Sequence, residues 1–278
     1  MLPNIPQNIK GKELFDYLVK NKAEIIRIKR ANIKESDSIM HPISLLVKGK
    51  EASFKSASNP TLVKEVEDEG TCLVKVVANS AWWCDSQMDV LTDGCYDKSI
   101  KEKGVLIPHI ADHCHKSTNH VGDVQAVYKQ QISLKDLGLD MNGKTTALVF
   151  ETLVREDYNE DTYKFYKNGK INQHSIGLMY ISLGLCINNK DYLPEFELWG
   201  KYYDKVINKD VVDEAGYFWI VPEIKVLENS CVLFGSNELT PTLEVISNEP
   251  PEDGTQGKSN ENELDTKSII TNFKFKLN

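Results

Sequence analysis

Residues 175–187 read SIGLMYISLGLCI, an apolar run that directly follows the polar, glycine-containing segment GKINQH (169–174). A β-rich run bounded by a turn-like segment predicts a buried strand. Four further runs of this kind flank it along the chain. They are TCLVKVVA (71–78), GDVQAVYKQ (122–130), TTALVFETLV (145–154) and FWIVPEIKVLENSCVLFG (218–235). Strands therefore dominate the predicted fold.

Helical patterns are fewer and lie around these strands. EDYNEDTYKFYKNGK (156–170) predicts a short helix that ends at Gly169, a suitable residue for the position after a helix. Residues 188–216 are polar and partly helical, which is typical of an insertion that leaves the sheet. The expected fold class is α+β, mainly β, with a closed or nearly closed β-barrel flanked by helices.

The two ends of the chain differ in charge. Residues 1–50 are expected to form a basic helical arm, with apolar residues near one face of the helix at Leu14, Phe15, Leu18, Val19, Ile25 and Ile26. This helix either packs on the domain with a solvated face, which is the commoner use, or docks on an acidic partner. Residues 51–246 are expected to form the main domain. The acidic tail 247–278, rich in Pro, Gly and Asn, is expected to be disordered.

Composition excludes several classes of protein. The formal charge of −8 argues against a general nucleic-acid binder, which needs a basic face. No apolar run reaches the roughly 20 residues that cross a bilayer, and the N-terminus lacks the apolar core of a signal peptide. The six cysteines show no C-x-x-C spacing, and we expect them to be reduced residues of a cytosolic protein.

Four histidines lie within one window, VLIPHIADHCHKSTNHVGDV, at His109, His113, His115 and His120. Imidazole serves both as a base near neutral pH and as a metal ligand. On an extended segment His113 and His115 point to one side, so a zinc site with His109 or His120 is one possibility. No second group of ligands at suitable spacing follows downstream, which makes this match weak.

Nucleophilic catalysis is the other possibility. Ser175 lies where a polar turn meets an apolar strand, a place that is rigid and still reachable by a substrate. Gly177 is expected to leave room for an approaching backbone. By these features alone such a serine is more often structural. Cys114 is a further candidate nucleophile, ranked lower because two histidines flank it.

Four stretches, in this order, resemble the prohead serine proteases of tailed bacteriophages, distant structural relatives of the herpesvirus assemblins. They are DSQMDVLTDGCYDKSI (85–100), LIPHIADHCHKSTNHVGDV (106–124), GKINQHSIGLMYI (169–181) and KVLENSCVLFGSNELT (225–240). The second is similar to the family's histidine motif, the third to its Ser-Ile-Gly motif and the fourth to its Glu-x-Ser strand. The chain departs from the family at Cys114, where Asp is usual, and at Gly235-Ser236, where Pro-Ala is usual.

The resemblance implies a serine endopeptidase with no cofactor and no metal, whose protease domain is residues 51–246. Ser175 would be the nucleophile and His113 the base, although counting back from Gly122 favours His115 instead. Glu228 would orient the imidazole, or else is a structural residue at a strand end.

The resemblance also implies a setting and partners. The enzyme would act in the host cytoplasm, inside the assembling prohead, where it would cleave scaffold protein, the major capsid protein and itself. A homo-oligomer is possible, and no membrane or direct nucleic-acid contact is expected. The alternatives are a zinc-dependent hydrolase that uses the cluster from His109 to His120 and a non-catalytic capsid or scaffold component.

Overall fold

The computed structural model describes residues 5–6, 8–34 and 69–247. Its helices are α1 (Gly11–Ala31), α2 (Asp97–Glu102), α3 (Glu160–Lys167), α4 (Leu193–Tyr202) and α5 (Lys209–Ala215). Its strands are β1 (Thr71–Ser80), β2 (Asp89–Leu91), β3 (His109–Ala111), β4 (Gly122–Ser133), β5 (Lys144–Arg155), β6 (His174–Ile187), β7 (Tyr217–Cys231) and β8 (Thr242–Ile246). The predicted disordered tail lies outside the described residues, apart from its first residue.

The strands form two sheets. The first has the order β4-β5-β1-β8, with every pair antiparallel. In the second, β7 is the central strand: β6 pairs antiparallel with it along one edge, and β2 and β3 pair parallel with it along the other. Because β7 is paired on both edges, its side chains hold fixed positions relative to residues of three other strands.

The predicted mixture of α and β elements, rich in strands, is confirmed, but a closed barrel is not found in the described part of the chain. Only isolated bridges lie between the ends of the two sheets in the described residues: Ile110 of β3 pairs with His120, which precedes β4, and Val90 of β2 pairs with Cys84, which follows β1. Continuous ladders do not form there because β2 and β3 have only three residues each. Residues with positive φ, Met88 and Asp112, stand directly before β2 and directly after β3 and stop the pairing.

All five predicted strand runs fall on strands: β1, β4, β5, β6 and β7. Along β1 most side chains are buried, as the β-rich run TCLVKVVA predicts, because both faces of this strand are covered. The predicted short helix is α3, and Gly169 follows it with φ +63°, the left-handed conformation that suits glycine after a helix. The predicted excursion between β6 and β7 contains α4 and α5, which pack Trp199 and Val212 against Phe218.

Helix α1 packs on the domain, which agrees with the packing interpretation of the N-terminal helix. Leu18 and Ile25 are buried against Leu185 and Trp219 of the β6–β7 pair. The helix carries many charged side chains, and no helix in the described part of the chain has both the length and the apolar character needed to span a bilayer. The rest of the predicted arm, from residue 35 to residue 50, lies outside the described residues.

A buried ionic cluster holds the end of α1 to the sheet. Lys29 Nζ lies 2.6 Å from Asp89 Oδ1, and Lys34 Nζ lies 2.7 Å from Asp89 Oδ2. Lys34 also contacts Asp85, and the Tyr180 hydroxyl donates to Asp89. Burial disfavours ionisation of Asp89, but the two ammonium groups outweigh that effect and lower its pKa to about 2.

The same segment pairs with β6. The Lys34 N–H donates to the Leu178 carbonyl at 2.8 Å, and the Leu178 N–H donates to the Lys34 carbonyl at 3.1 Å. Lys34 is therefore attached to the sheet through its backbone as well as through its side chain. This attachment lies three residues along the strand from Ser175.

We expect Asp89→Asn to lower the free energy of unfolding by roughly 3–5 kcal/mol, because it removes the charge that two buried ammonium groups share. Urea denaturation measures the change. The slope of the free energy of unfolding against urea concentration, the m-value, should stay as in the wild type. The matched control is Glu24→Gln, which breaks the exposed Arg27–Glu24 pair of the same helix and should leave the midpoint unchanged. An Asp89→Asn protein as stable as the wild type would contradict a stabilising role for the cluster.

Candidate active site

The register of the second sheet brings the serine motif and the histidine motif to neighbouring positions. Ser175 of β6 lies directly opposite Ser230 of β7, and Ile110 of β3 lies opposite Ser230 on the other edge. Directly opposite residues place their side chains on the same face, with Cβ atoms roughly 5 Å apart. Ser230 thus stands between Ser175 and the strand that leads to His113.

His113 enters this face through a tight turn after β3. Asp112 and His113 have φ values of 54° and 51°, the left-handed region that costs non-glycine residues about 1–3 kcal/mol. The turn is held by two hydrogen bonds to β7: the Asp112 N–H donates to the Cys231 carbonyl, and the His113 N–H donates to Ser230 Oγ, each at 3.0 Å. The conformation is sustained by the packing against β7 and not by local preference.

The turn directs the imidazole of His113 at Glu228. His113 Nδ1 lies 2.5 Å from Glu228 Oε1, and the two side chains are 6% and 2% exposed. A carboxylate can only accept, so Nδ1 carries a proton and donates it. In the neutral ring the second nitrogen, Nε2, is then the atom that can take a proton.

Gly177 makes this position of Glu228 possible. It lies directly opposite Glu228, and a Cβ placed on Gly177 would come within 2.3 Å of Glu228 Oε1. The sequence predicted that Gly177 leaves room for an approaching backbone. In the structure the side chain of Glu228 occupies that space. Ser175 is two residues before Gly177 on the same strand, so its side chain lies on the face that Glu228 covers.

Ser175, His113 and Glu228, the three residues singled out from the sequence, therefore share one region of one face. Ser175 is 5% exposed. Among the described residues no hydrogen bond joins Ser175 to His113, although both adjoin Ser230. Such contacts are often long before substrate binds. The sequence analysis gave no role to Ser230. The Glu-x-Ser spacing could have indicated one, because residues two apart on a strand share a face, which places Ser230 beside Glu228.

His115 and Cys114 occupy more open positions. His115 Nε2 lies 3.9 Å from Glu228 Oε1, beyond hydrogen-bond distance, and its side chain is 43% exposed. His115 lines a surface cleft of about 340 Å³ together with Ile110, His120 and Glu228. Cys114 is half-buried in the loop between the two histidines. Of the two histidines left open by the sequence, His113 is therefore the one whose ring lies within hydrogen-bond distance of Glu228.

The histidine window does not assemble as a metal site. In residues 5–6, 8–34 and 69–247 no group of three or more His, Cys, Asp or Glu side chains is arranged to hold a metal ion. His109 is fully buried on the opposite face, where its Nδ1 lies 3.0 Å from Thr152 Oγ1 and its Nε2 lies 3.1 Å from Tyr166 Oη. Strand alternation alone would keep His109 and His113 on one face; the left-handed turn at Asp112 and His113, after β3 has ended, separates the two side chains.

A second buried histidine, His174, lies near His109. Burial lowers the pKa of His174 to about 4, although its contact with the Thr240 carbonyl works in the other direction. Burial, followed by the nearness of His174, lowers the pKa of His109 well below its usual 6.5. Both rings are thus neutral in the folded protein at pH 7.

Gly177→Ala tests the fit between Gly177 and Glu228. We expect the added methyl group to displace the carboxylate and to cost about 1–3 kcal/mol of stability in urea denaturation. Because Glu228→Ala removes the clash, the double variant should lose less stability than the sum of the single variants. Gly200→Ala is the control, because nothing lies within 4 Å of that helical position; it should be neutral or slightly stabilising. Strictly additive losses would contradict the contact.

The buried histidines predict a dependence of stability on pH. His174 takes up a proton near pH 6.5 when unfolded but only near pH 4 when folded, so its stabilising contribution is complete above pH 6.5 and is lost as pH falls through 4. The loss is on the order of 3 kcal/mol. The neighbouring thiols of Cys72 and Cys231 do not titrate in this pH range, and burial raises the pKa of each further, to about 12.

Urea denaturation at a series of pH values measures this loss. The variant His174→Gln, which cannot be protonated there, should show a flatter profile between pH 6.5 and pH 4. His120→Gln, at an exposed position, should keep the profile of the wild type. Equal profiles for wild type and His174→Gln would contradict a neutral, buried His174.

No protein-family model, no curated protein and no solved structure matches this chain. What the chain does has therefore to be inferred from the geometry around Ser175, His113 and Glu228 and from the motifs of its own sequence. That geometry consists of a serine, a histidine and a buried carboxylate on one face of three neighbouring segments.

Proposed function

We propose that the chain is a serine endopeptidase in which Ser175 is the nucleophile, His113 the general base and Glu228 the group that orients the base. The observation that carries the proposal is the 2.5 Å contact between Glu228 Oε1 and His113 Nδ1, with Ser175 on the adjacent strand and on the same face. A nucleophile, a base and a group that orients the base are the parts that acyl transfer by serine requires.

The roles follow from the hydrogen bonding. With Nδ1 occupied by Glu228, Nε2 of His113 takes the proton of the Ser175 hydroxyl as its oxygen attacks the scissile carbonyl. The same nitrogen then protonates the leaving amine, and water repeats the sequence on the acyl-enzyme. Glu228 stabilises the imidazolium, and its second oxygen, Oε2, is buried with no hydrogen-bond partner in the described part of the chain.

Access for a peptide is the remaining requirement. The cleft lined by His115, His120 and Glu228 opens the surface beside the site, with Ile33, Pro108 and Leu227 as apolar lining. Apolar walls with a few convergent polar groups are typical of ligand sites. In this proposal the cleft receives part of the substrate chain next to the reacting groups.

The biological setting rests on the sequence resemblance to prohead proteases. In this proposal the enzyme works inside the assembling prohead in the host cytoplasm, and it trims scaffold protein, the major capsid protein and its own chain. The order of the histidine, Ser-Ile-Gly and Glu-x-Ser motifs supports this setting, and the structure adds that these motifs adjoin.

Substitution of Ser175 tests the function directly. We expect Ser175→Ala to abolish self-cleavage of the full chain, and cleavage of a co-expressed major capsid protein, by at least roughly 10³-fold, because the nucleophile is lost. Intact-mass spectrometry of all products measures the effect and identifies the cleavage site. Ser182→Ala, on the same strand, is the control and should be processed as the wild type is. Normal processing of Ser175→Ala would overturn the assignment of the nucleophile.

The same assay distinguishes the two histidines. His113→Ala should be as damaging as Ser175→Ala, and His115→Ala should be milder, because only His113 bonds to Glu228. The reverse order would move the base by two residues. Activity that persists in Ser175→Ala and is lost to chelators would favour the metal-dependent alternative. A wild-type chain that cleaves nothing would favour a non-catalytic capsid component.

A further inference from the structure

The face of β7 opposite to Glu228 carries a continuous chain of buried hydrogen bonds. His109 of β3 and His174 of β6 lie opposite Asn229 and Cys231, on either edge of β7. The hydroxyl of Tyr166, from α3, lies 3.1 Å from His109 Nε2 and 2.8 Å from His174 Nε2. All three side chains are fully buried. One hydroxyl therefore spans β7 and joins the strands on its two edges.

The protons in this series of hydrogen bonds can be assigned by starting from the Thr240 carbonyl. His174 Nδ1 lies 3.0 Å from the Thr240 carbonyl, which can only accept, so Nδ1 carries the proton. Nε2 of the neutral His174 ring then accepts from the Tyr166 hydroxyl. That hydroxyl has no second proton to give, so it accepts from the Nε2–H of His109. Nδ1 of His109 in turn accepts from Thr152 Oγ1.

The assignment accounts for both ring nitrogens of each histidine and leaves no charge on either. It also gives the two rings opposite tautomers, with the proton on Nε2 in His109 and on Nδ1 in His174. A buried polar group that loses its partner costs about 1–3 kcal/mol. Removal of the Tyr166 hydroxyl leaves two ring nitrogens without partners on two different strands.

These two strands carry the proposed catalytic pair. His174 directly precedes Ser175, and His109 begins the strand whose end turns into His113. Strand β3 pairs with β7 over only three residues, so its own ladder fixes it weakly. Displacements below 1 Å between nucleophile and base are enough to slow acyl transfer markedly.

We propose that Tyr166 is a positioning residue whose hydroxyl, by bonding to both His109 and His174 across β7, sets the separation between His113 and Ser175. This inference rests on the proposed function, since it takes the pair to be catalytic. Tyr166 touches neither Ser175 nor His113 and acts through the strands that hold them. Thr152, from the first sheet, bonds to the other ring nitrogen of His109. The series of hydrogen bonds through Tyr166 therefore contacts both sheets.

Tyr166→Phe tests the inference, because it removes the hydroxyl and keeps the ring. We expect kcat for peptide cleavage to fall roughly tenfold or more with little change in KM, because placement of the pair is affected and the substrate cleft is not. Both parameters are measured well below the unfolding midpoint of each variant. Tyr163→Phe, the same change one turn earlier on α3, is the control and should keep both parameters. An unchanged kcat in Tyr166→Phe would overturn the positioning role.

NMR provides a second readout that does not require activity. Long-range ¹H–¹⁵N spectra of the imidazoles should show His109 and His174 as neutral rings with the opposite tautomers assigned above. The Nδ1–H signal of His113, hydrogen-bonded to Glu228, should shift or broaden in Tyr166→Phe and not in Tyr163→Phe. If the wild type cleaves nothing, while the His113 signal changes in Tyr166→Phe and not in Tyr163→Phe, the proposed function fails and the role of Tyr166 in placing His113 stands. If the wild type cleaves peptides and Tyr166→Phe leaves kcat and the His113 signal unchanged, the positioning role fails and the function stands.

Discussion

The contact between Glu228 and His113 is the constraint around which this part of the molecule is organised. A buried carboxylate is costly unless it is paired and hydrogen-bonded, and here its partner is supplied by a segment that left the sheet after three residues of pairing. The partner reaches it through two successive left-handed residues, Asp112 and His113. The absence of a side chain at Gly177 gives the carboxylate its space. Two segments far apart in sequence, the turn after β3 and the start of β6, are thus adapted to one side chain of β7.

Strand β7 separates two kinds of polar chemistry. On one face lie Glu228 and Ser230, next to His113 and Ser175. On the other face, a series of hydrogen bonds from Thr152 to Thr240 includes two histidines and a tyrosine. All three side chains are neutral at pH 7 and fully hydrogen-bonded. Because burial keeps these rings uncharged, they add no charge beneath the carboxylate. The fully paired face gives rigidity, and the opposite face carries the residues of the proposed catalytic group.

Much of this fold could be predicted from local sequence, and the site only in part. Apolar runs identified β1 and β4 to β7 because hydrophobic periodicity is a local property. The two sheets were not foreseen as separate, since pairing depends on where short strands such as β2 stop. Ser175 and His113 were found through motif order. The sequence did not predict that Gly177 makes space for Glu228 or that Tyr166 bonds to two strands. Both features depend on the register between strands, which bulges in the β6–β7 pairing shift. A single sequence does not reveal such shifts.

The burial of Glu228 against His113 bears on why a carboxylate suits the proposed site. In the proposed reaction, His113 gains a proton from Ser175, and the imidazolium then lies against this buried carboxylate, where the attraction between opposite charges is stronger than in water. The carboxylate therefore interacts more favourably with the state that forms during proton transfer than with the resting state. Stabilisation that appears only as charge develops is the kind that lowers a barrier.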